Sequence, residues 1–300
     1  MPELPEVETI RRQLEPALVG HVLAEVEIFD PRLVQPHDRA EVAAELRGER
    51  VVAVGRRGKY LLVRFASRRA LVVHLRMTGA FLVGAAAVGG GDADGAGPAR
   101  VGEPGEPAEL SGIPHLRALL VLGDGATVAF RDVRRFGTWT LLEPGELRPY
   151  LAERLGPEPL GAFSAADLGT RLARRQAPIK AVILDQSTVA GVGNIYADEA
   201  LWRSRIHPLR PAASLDAAEV RSLHRAIRAA LTAGIARQGA TLRDYRAPDG
   251  SSGGMQDEFK VYGRDGEPCP RCGRELAKSR VAGRGTHFCP RCQRAAPGGR

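Results

Sequence analysis

The first six residues of the chain combine a proline with two carboxylates. Removal of Met1, which a small second residue such as Pro2 normally allows, would leave a secondary amine at the new N-terminus. Such an amine can attack an aldehydic sugar carbon and form an iminium, an electron sink that makes the neighbouring C–H acidic and permits elimination. Glu3 and Glu6 follow closely enough to exchange protons with this centre. The stretch predicts either a covalent catalytic centre or an ordinary acid-capped helix, and taken alone it favours the helix.

A helix is predicted to position these groups. Pro5 suits its first turn, where the missing N–H would have no helical partner in any case. The apolar residues that repeat at the helical spacing are Val7, Ile10, Leu14 and Leu18. Glu3 would then lie just before the helix and Glu6 in its first turn. The positive end of the helix dipole would favour the neutral, nucleophilic form of the amine.

A second group with recognisable chemistry lies at the other end of the chain. All four cysteines fall in the last 32 residues, as the pairs Cys269/Cys272 and Cys289/Cys292 separated by sixteen residues. Each C-x-x-C pair can form a tight turn that presents two thiolates, and two such turns complete a closed tetrahedral Zn²⁺ site. Disulfides are the alternative, but nothing in the sequence indicates an oxidising compartment. With no position left open on the metal, the predicted zinc is structural and holds a hairpin.

Length and charge limit the class of protein. Three hundred residues suggest two domains, or one large domain with an appendage. The formal charge of +8 comes mostly from arginine, which suits phosphate and base contacts, although a GC-rich genome would also enrich arginine. The sequence contains neither a membrane-spanning run nor a signal peptide. We expect a soluble cytoplasmic protein with a polyanionic partner and no membrane contact, and a monomer by default.

Several residues at turns of the first half are candidates for contacts with a nucleic acid. Lys59 precedes a buried strand and is either a solvated lysine or a phosphate anchor. Met77 ends a strand and is either a core filler or a side chain that occupies the space of an extruded base. Arg134 and Phe136 suit a wedge into stacked bases, or else a hydrophobic corner with solvated arginines. His115 is more often a solvated loop histidine than a DNA contact.

The second half offers three further candidates. Gly191 and Gly193 precede a predicted helix start at Asn194, an arrangement that binds anions but lacks the strand and third glycine of a dinucleotide site. Lys180 follows Pro178 at another helix start and is either a phosphate contact or solvated. Arg284 lies at the tip of the predicted zinc hairpin, where it is either structural or held for a phosphate.

The elements that must carry these residues divide into a β-rich first half and a helical second half. Strands are predicted at 22–29, 51–54, 60–65, 70–75, 116–122 and 127–130. Helices are predicted at 165–175, 179–185, 195–203 and from a cap at Ser214 to about 239. A short strand at 259–262 would lead to a hairpin of 275–281 with 286–288. Residues 84–111 form a glycine-rich insertion, 143–161 a linker, and 239–256 a lid or a disordered connector.

These motifs, taken in order, closely resemble those of the bacterial formamidopyrimidine-DNA glycosylases, which repair oxidised guanine. The matching stretches are Pro2-Glu-Leu-Pro-Glu-Val7, Arg57-Gly-Lys59, His74-Leu-Arg-Met77, Asp132-Val-Arg-Arg-Phe-Gly137, Gly191-Val-Gly-Asn-Ile-Tyr196 and Gly283-Arg-Gly-Thr-His-Phe-Cys289. They cover nearly the whole chain apart from the insertion. The resemblance implies an α+β multidomain fold: a catalytic β-sandwich with a flanking helix at 1–143, a helix-two-turns-helix domain with a lesion loop at 144–256, and a zinc-finger β-hairpin at 257–300.

The resemblance also implies an activity and residue roles. A bifunctional glycosylase and abasic-site lyase would excise oxidised purines from double-stranded DNA and cleave abasic sites, in a bacterial cytoplasm and at the nucleoid when on DNA. Pro2 would be the nucleophile at C1′, Glu3 the general acid, and Glu6 a supporting residue. Lys59, Asn194 and Arg284 would grip phosphates. Met77, Arg134 and Phe136 would fill the space of the flipped base, with Arg134 facing the orphaned cytosine.

Three alternatives stay open. The related endonuclease VIII type prefers oxidised pyrimidines, but its start usually reads Pro-Glu-Gly-Pro-Glu, whereas this chain has Leu4. A damage-binding protein without catalysis would share the charge and the zinc site, yet would not need a free Pro2 beside Glu3. A nucleotide-binding enzyme that uses the Gly191 loop is more remote. Thr78 and the 239–256 loop are positions expected to influence which lesion is chosen.

Overall fold

The computed structural model describes residues 1–84, 113–242 and 245–295, so nearly all of the predicted insertion at 84–111 lies outside the described residues. The first half is a β-sandwich with a helix against it, and the second half is helical and ends in a two-stranded hairpin. This arrangement confirms the predicted fold class. Among the described residues, no helix combines the length and the apolar character needed to cross a bilayer.

Two four-stranded antiparallel sheets form the sandwich. Their strands are β1 (Leu23–Ile28), β2 (Val51–Arg57), β3 (Tyr60–Phe65), β4 (Ala70–His74), β5 (Gly79–Val83), β6 (Leu116–Leu122), β7 (Thr127–Asp132) and β8 (Thr138–Leu142). The strand orders are β1-β6-β7-β5 and β2-β3-β4-β8. Phe81, Phe130 and Trp139 meet in the core, with ring centroids 5.0–6.2 Å apart. Helix α1 (Leu4–Leu18) packs its predicted apolar face on the same core.

Strand β5 was not among the predicted strands, and two further elements of this half, α2 and β8, were not predicted either. Helix α2 (Arg39–Leu46) is capped by Asp38, whose carboxylate accepts hydrogen bonds from the amides of Ala40 and Glu41. Strand β8 pairs with β4 at the sheet edge. Both are short, and each buries only two or three side chains, so neither produces a clear periodic signal.

The helical half contains α3 (Leu147–Arg154), α4 (Ala165–Leu172), α5 (Ile179–Leu184), α6 (Asn194–Ser204) and α7 (Ala217–Ala236). Helix α3 lies within the 143–161 stretch for which a linker was predicted, where the sequence analysis placed no helix. Ser214 belongs to a short 3₁₀ helix, and the N-cap of α7 is Asp216, whose carboxylate accepts from two amides of the first turn. The cap prediction was therefore wrong by two residues.

The last segment forms the hairpin of β9 (Ala277–Val281) and β10 (Arg284–Phe288). The strand predicted at 259–262 is absent. Instead, the amides of Lys260, Val261 and Tyr262 donate to one carboxylate oxygen of Glu199 at 2.9–3.1 Å. A buried acceptor on α6 thus replaces the strand partner that the prediction assumed.

Candidate active site

The N-terminus of α1 meets the N-terminus of α6. The Leu4 amide donates to the Gly191 carbonyl (3.1 Å), and the Glu3 carboxylate accepts hydrogen bonds from the amides of Ile195 (3.0 Å) and Tyr196 (3.4 Å). A Cβ at Gly193 would lie 2.2 Å from Glu3 Cδ, so only glycine leaves room for this carboxyl group. Two motifs nearly 200 residues apart in the chain thereby form one site.

Glu3 is buried, with 3% of its surface exposed. Burial raises its pKa to about 7; Lys59 opposes this rise, and the neighbouring charge of Glu6 adds to it. Lys59 is buried as well, and burial lowers its pKa although Glu3 and Glu6 counteract the effect. Near neutral pH, Glu3 can hold and release a proton, as a general acid requires.

Glu6 ties the N-terminal segment to two other elements. Its Oε2 accepts from the Glu3 amide (2.8 Å), and its Oε1 accepts from the Tyr196 hydroxyl (2.8 Å) and the Ala240 amide (2.8 Å). A Cβ at Gly239 would lie 2.7 Å from Glu6 Cγ. Glu6 therefore orients Glu3 and fixes the start of the 239–256 loop. Tyr196 was matched in a motif without an assigned role; the structure shows that it is buried and that its hydroxyl contacts Glu6.

Pro2 is buried at the junction of these elements, whereas Met1 is 47% exposed. Met1 lines an open cavity of about 570 Å³ together with Met77, Phe136 and Arg284. The start of the chain, the predicted base-replacing residues and the hairpin tip therefore border one cleft. A group bound in this cleft would meet the nitrogen of Pro2 once Met1 was gone.

Met77, Arg134 and Phe136 form one exposed cluster. Met77 is 39% and Phe136 50% exposed, and exposed large apolar side chains that cluster, unlike single ones, mark a candidate binding surface. Arg134 Nη1 donates to Met77 Sδ (2.9 Å), and its guanidinium lies 4.8 Å from the centre of the Phe136 ring. His115 is exposed, and its carbonyl accepts from the amide of Asp132 (3.0 Å), two residues before Arg134.

Lys180 lies where no phosphate contact is available to it. It is fully buried, forms an ion pair with Asp198 (2.7 Å), and donates to the Gly285 carbonyl (2.9 Å) and the Thr286 hydroxyl (2.8 Å). The ammonium has three donors and all three are directed at these groups. In place of the predicted phosphate contact, Lys180 attaches α5 to the hairpin next to Arg284.

Arg284 borders the cleft and directly precedes Gly285, the residue that the Asn194 side chain contacts. Arg284 is exposed at the start of β10. The Asn194 side-chain amide donates to the Gly285 carbonyl (3.0 Å), so the first residue of α6 and the hairpin tip are joined. A cation and a helix N-terminus at one place make a suitable phosphate site.

The four cysteine sulfurs lie within 4.8 Å of one another, as four ligands of one ion must. Cys272 and Cys289 Sγ are 3.5 Å apart, close to the roughly 3.8 Å edge expected for a tetrahedron with Zn–S bonds of about 2.3 Å. The Trp202 indole N–H points at Cys269 Sγ (3.4 Å), which suits a thiolate acceptor. The residues therefore fit the single structural zinc that the spacing predicted.

Helix α6 connects this metal site to the candidate active site. Its first turn binds Glu3, Asp198 accepts from the His287 amide (2.9 Å), Glu199 holds the segment before the zinc site, and Trp202 faces Cys269. Asp198 and Glu199 were not among the predicted site residues. The signal in the sequence is an acidic pair between apolar residues of a predicted helix. Such a pair is buried in the structure, and buried acidic side chains need partners.

Three family models match the chain in succession. The formamidopyrimidine-DNA glycosylase N-terminal domain matches residues 1–139, the formamidopyrimidine-DNA glycosylase H2TH domain matches residues 155–246, and the zinc finger found in FPG and IleRS matches residues 266–295. The matches follow the order of the three parts described above. They include every residue of the site around Glu3 and all four cysteines.

Similar proteins match over nearly their whole length. A formamidopyrimidine-DNA glycosylase of Herpetosiphon aurantiacus is 43% identical over 284 residues, which are 94% of this chain and 96% of the relative. One from Geobacillus kaustophilus is 45% identical over 286 residues, with coverage of 94% and 96%. The crystal structure of the MutM (Fpg) protein of Thermus thermophilus superimposes with a TM-score of 0.81 at 44% identity, covering 99% of this chain and 100% of that one. A Lactococcus lactis Fpg mutant bound to Fapy-dG containing DNA gives a TM-score of 0.84 at 37% identity, covering 98% and 100%.

Proposed function

The chain belongs to the formamidopyrimidine-DNA glycosylase family, and from this premise we propose that it excises oxidised purines from duplex DNA and then cleaves the strand at the resulting abasic site. Solved relatives contain DNA with Fapy-dG, an abasic site or carbocyclic 8-oxo-G, which supports a substrate of this class. The pyrimidine-preferring relatives usually have glycine at the position of Leu4, and this difference favours oxidised purines as the substrate.

The observation that carries the proposal is the Glu3 carboxyl group. It is buried next to Pro2, receives two amides of α6, and has a pKa near 7 with Lys59 close by. A structural helix cap would not need a carboxyl group whose pKa burial raises to about 7. A group that donates a proton to a sugar oxygen and later accepts one needs that property.

Base excision begins with the Pro2 amine as nucleophile. Its nitrogen forms a bond to C1′ while the bond from C1′ to the base nitrogen breaks, and the base leaves with a proton. Glu3 protonates O4′ as the C1′–O4′ bond breaks, which opens the sugar and leaves an iminium between Pro2 and C1′. Lys59 stabilises the carboxylate that Glu3 becomes.

Strand cleavage then needs only proton transfers. The iminium makes the C2′ proton acidic, and its removal by the Glu3 carboxylate expels the 3′ phosphate. Loss of the C4′ proton from the conjugated product expels the 5′ phosphate in the same way. Neither step requires water or a redox partner, since the iminium accepts the electrons each time.

The exposed cluster and the hairpin tip serve the binding step. Extrusion of a base costs about a few kcal/mol, which side chains inserted in its place offset. Met77 and Phe136 can occupy that space, with Arg134 directed at the opposite base. Arg284 and Asn194 can hold the phosphates of the extruded nucleotide. The zinc, when bound, fixes the hairpin that carries Arg284 and takes no part in the reaction.

Borohydride trapping tests the proposal. The wild-type protein is mixed with a duplex that carries 8-oxoguanine opposite cytosine, and the reduced adduct is mapped by peptide mass spectrometry. We expect a stable adduct on the nitrogen of Pro2, because borohydride reduces an iminium to an amine. A Pro2→Gln variant is the control, since its larger second residue would retain Met1 and leave no free amine at position 2.

Three other results would change the assignment. An adduct only with an oxidised pyrimidine would indicate the endonuclease VIII preference. An adduct at a lysine would move the nucleophile away from Pro2. Tight binding to the damaged duplex without any adduct, in protein shown by mass to lack Met1, would leave a damage-binding protein.

A further inference from the structure

We propose that Thr78 sets the opposite-base preference of this protein by joining the loop of Met77 to the loop of Arg134 and Phe136 through its hydroxyl group. The proposal rests on the proposed function, because it concerns the step in which a base is extruded. Thr78 would be a positioning residue, since its hydroxyl group is engaged within the protein and acts through its neighbours.

The hydroxyl of Thr78 lies between a carboxylate and an amide. It donates to Asp132 Oδ1 and accepts from the Arg134 amide (3.0 Å). Asp132 Oδ1 also accepts from the Arg134 amide (3.2 Å), and Oδ2 accepts from the Gly137 amide (2.7 Å). Asp132 is almost completely buried, so the carboxylate end of this network is shielded from competing water. Thr78 belongs to the loop of Met77, whereas the other members of this network belong to the loop of Arg134 and Phe136.

The backbones of the Met77 loop and of the Arg134–Phe136 loop are both closely packed. The Gly79 amide donates to the Leu75 carbonyl (3.0 Å), and a Cβ at Gly79 would lie 2.6 Å from that oxygen. A Cβ at Gly137 would lie 3.0 Å from Asp132 Oδ2. A Cβ at either glycine would also lie 3.0 Å from Phe130 Cζ, so the backbones of both loops pass close to this ring. The two loops are therefore anchored on one aromatic ring and linked above it by Thr78.

The side chains beyond this link are coupled as well. Arg134 Nη1 contacts Met77 Sδ and the guanidinium lies over Phe136. A shift of the Arg134 backbone must therefore move the Thr78 hydroxyl and, with it, the residue next to Met77. If Arg134 faces the base opposite the lesion, a purine at that position displaces the guanidinium. The Thr78 hydroxyl transmits this displacement to Met77, the side chain that fills the space of the extruded base. Discrimination between opposite bases then depends on the hydroxyl group of Thr78.

The test compares Thr78→Val, which keeps the shape but loses the hydroxyl, with Thr78→Ser, which keeps the hydroxyl. The kcat/KM for excision of 8-oxoguanine is measured opposite cytosine and opposite adenine. We expect the cytosine-to-adenine ratio to fall about three- to tenfold in Thr78→Val, as for one lost hydrogen bond, and to stay at the wild-type value in Thr78→Ser.

A base-unstacking signal separates failure of this inference from failure of the proposed function. Fluorescence of a 2-aminopurine next to the lesion follows insertion without any chemistry. Chemistry absent from the wild type, with a normal insertion signal, would count against the proposed function alone. An unchanged base ratio in Thr78→Val, or an equal loss of the ratio in Thr78→Ser, would overturn the role of the hydroxyl.

Discussion

Replacement of Glu3 by glutamine is expected to lower base excision by about 10²- to 10⁴-fold, the usual contribution of a general acid. The change is nearly isosteric, and the glutamine carbonyl can still accept from the Ile195 amide. Binding to damaged DNA should therefore stay within about threefold of wild type, a difference of less than about 1 kcal/mol. Single-turnover excision of 8-oxoguanine and equilibrium binding to the same duplex measure the two quantities separately.

The pH dependence of the wild type should agree with this role. The acid must be protonated before it can donate, and burial raises its pKa to about 7. Excision by the wild type should therefore fall as the pH rises above about 7, approaching a roughly tenfold loss per unit. The residual activity of Glu3→Gln should lack this descending limb. A limb that persists unchanged in the variant would assign the titration to another group.

Stability should change in the opposite direction to activity. Because the folded pKa of Glu3 is raised above its ordinary value of 4.5, its contribution to stability is complete below that value and is lost as the pH rises through about 7. Glutamine avoids this loss. At about pH 8, Glu3→Gln should unfold at a higher temperature than the wild type, and at about pH 5 the difference should nearly vanish. Glu8→Gln is a suitable control, since Arg11 and Arg56 lower the pKa of Glu8 against its partial burial.

The fold class and the zinc site could be predicted because each depends on local patterns. Alternation and turn residues indicate strands, and the C-x-x-C spacing nearly specifies its metal. The positions of Pro2, Glu3 and Asn194 were predicted through motifs that resemble a known family. Their mutual geometry was not, because it depends on α1 and α6 meeting end to end across nearly 200 residues of sequence.

Lys180 shows where residue type alone is insufficient. A lysine near a helix start in a basic protein suggests a phosphate contact, and the sequence contains no sign that Asp198 will lie within 2.7 Å of it. Burial reverses the interpretation, since a fully buried lysine needs a charged partner more than a ligand. The strand predicted at 259–262 was wrong for a similar reason: its amides found their acceptor in the side chain of Glu199.

The second large effect is expected for Lys180→Met. Methionine fills a similar volume but leaves the Asp198 carboxylate buried without its cation, which typically costs about 3–5 kcal/mol. The free energy of unfolding, measured by urea titration of the zinc-loaded protein, should fall by about that amount. The affinity for damaged duplex should fall too, because Lys180 holds the Gly285 carbonyl and the Thr286 hydroxyl next to Arg284.

A second substitution distinguishes positioning from direct phosphate contact. Asp198→Asn removes the uncompensated charge while its side-chain oxygen can still accept from the His287 amide. Added to Lys180→Met, it should restore a large part of both stability and DNA affinity, so the double-mutant cycle should show strong coupling. If Lys180 reached a phosphate, Lys180→Met would instead leave stability intact and reduce the slope of log K against log salt by about 0.9, and Asp198→Asn would not rescue it. The buried ion pair predicts rescue with an unchanged salt slope, because the proposed phosphate ligand is Arg284 and Lys180 holds the hairpin beside it.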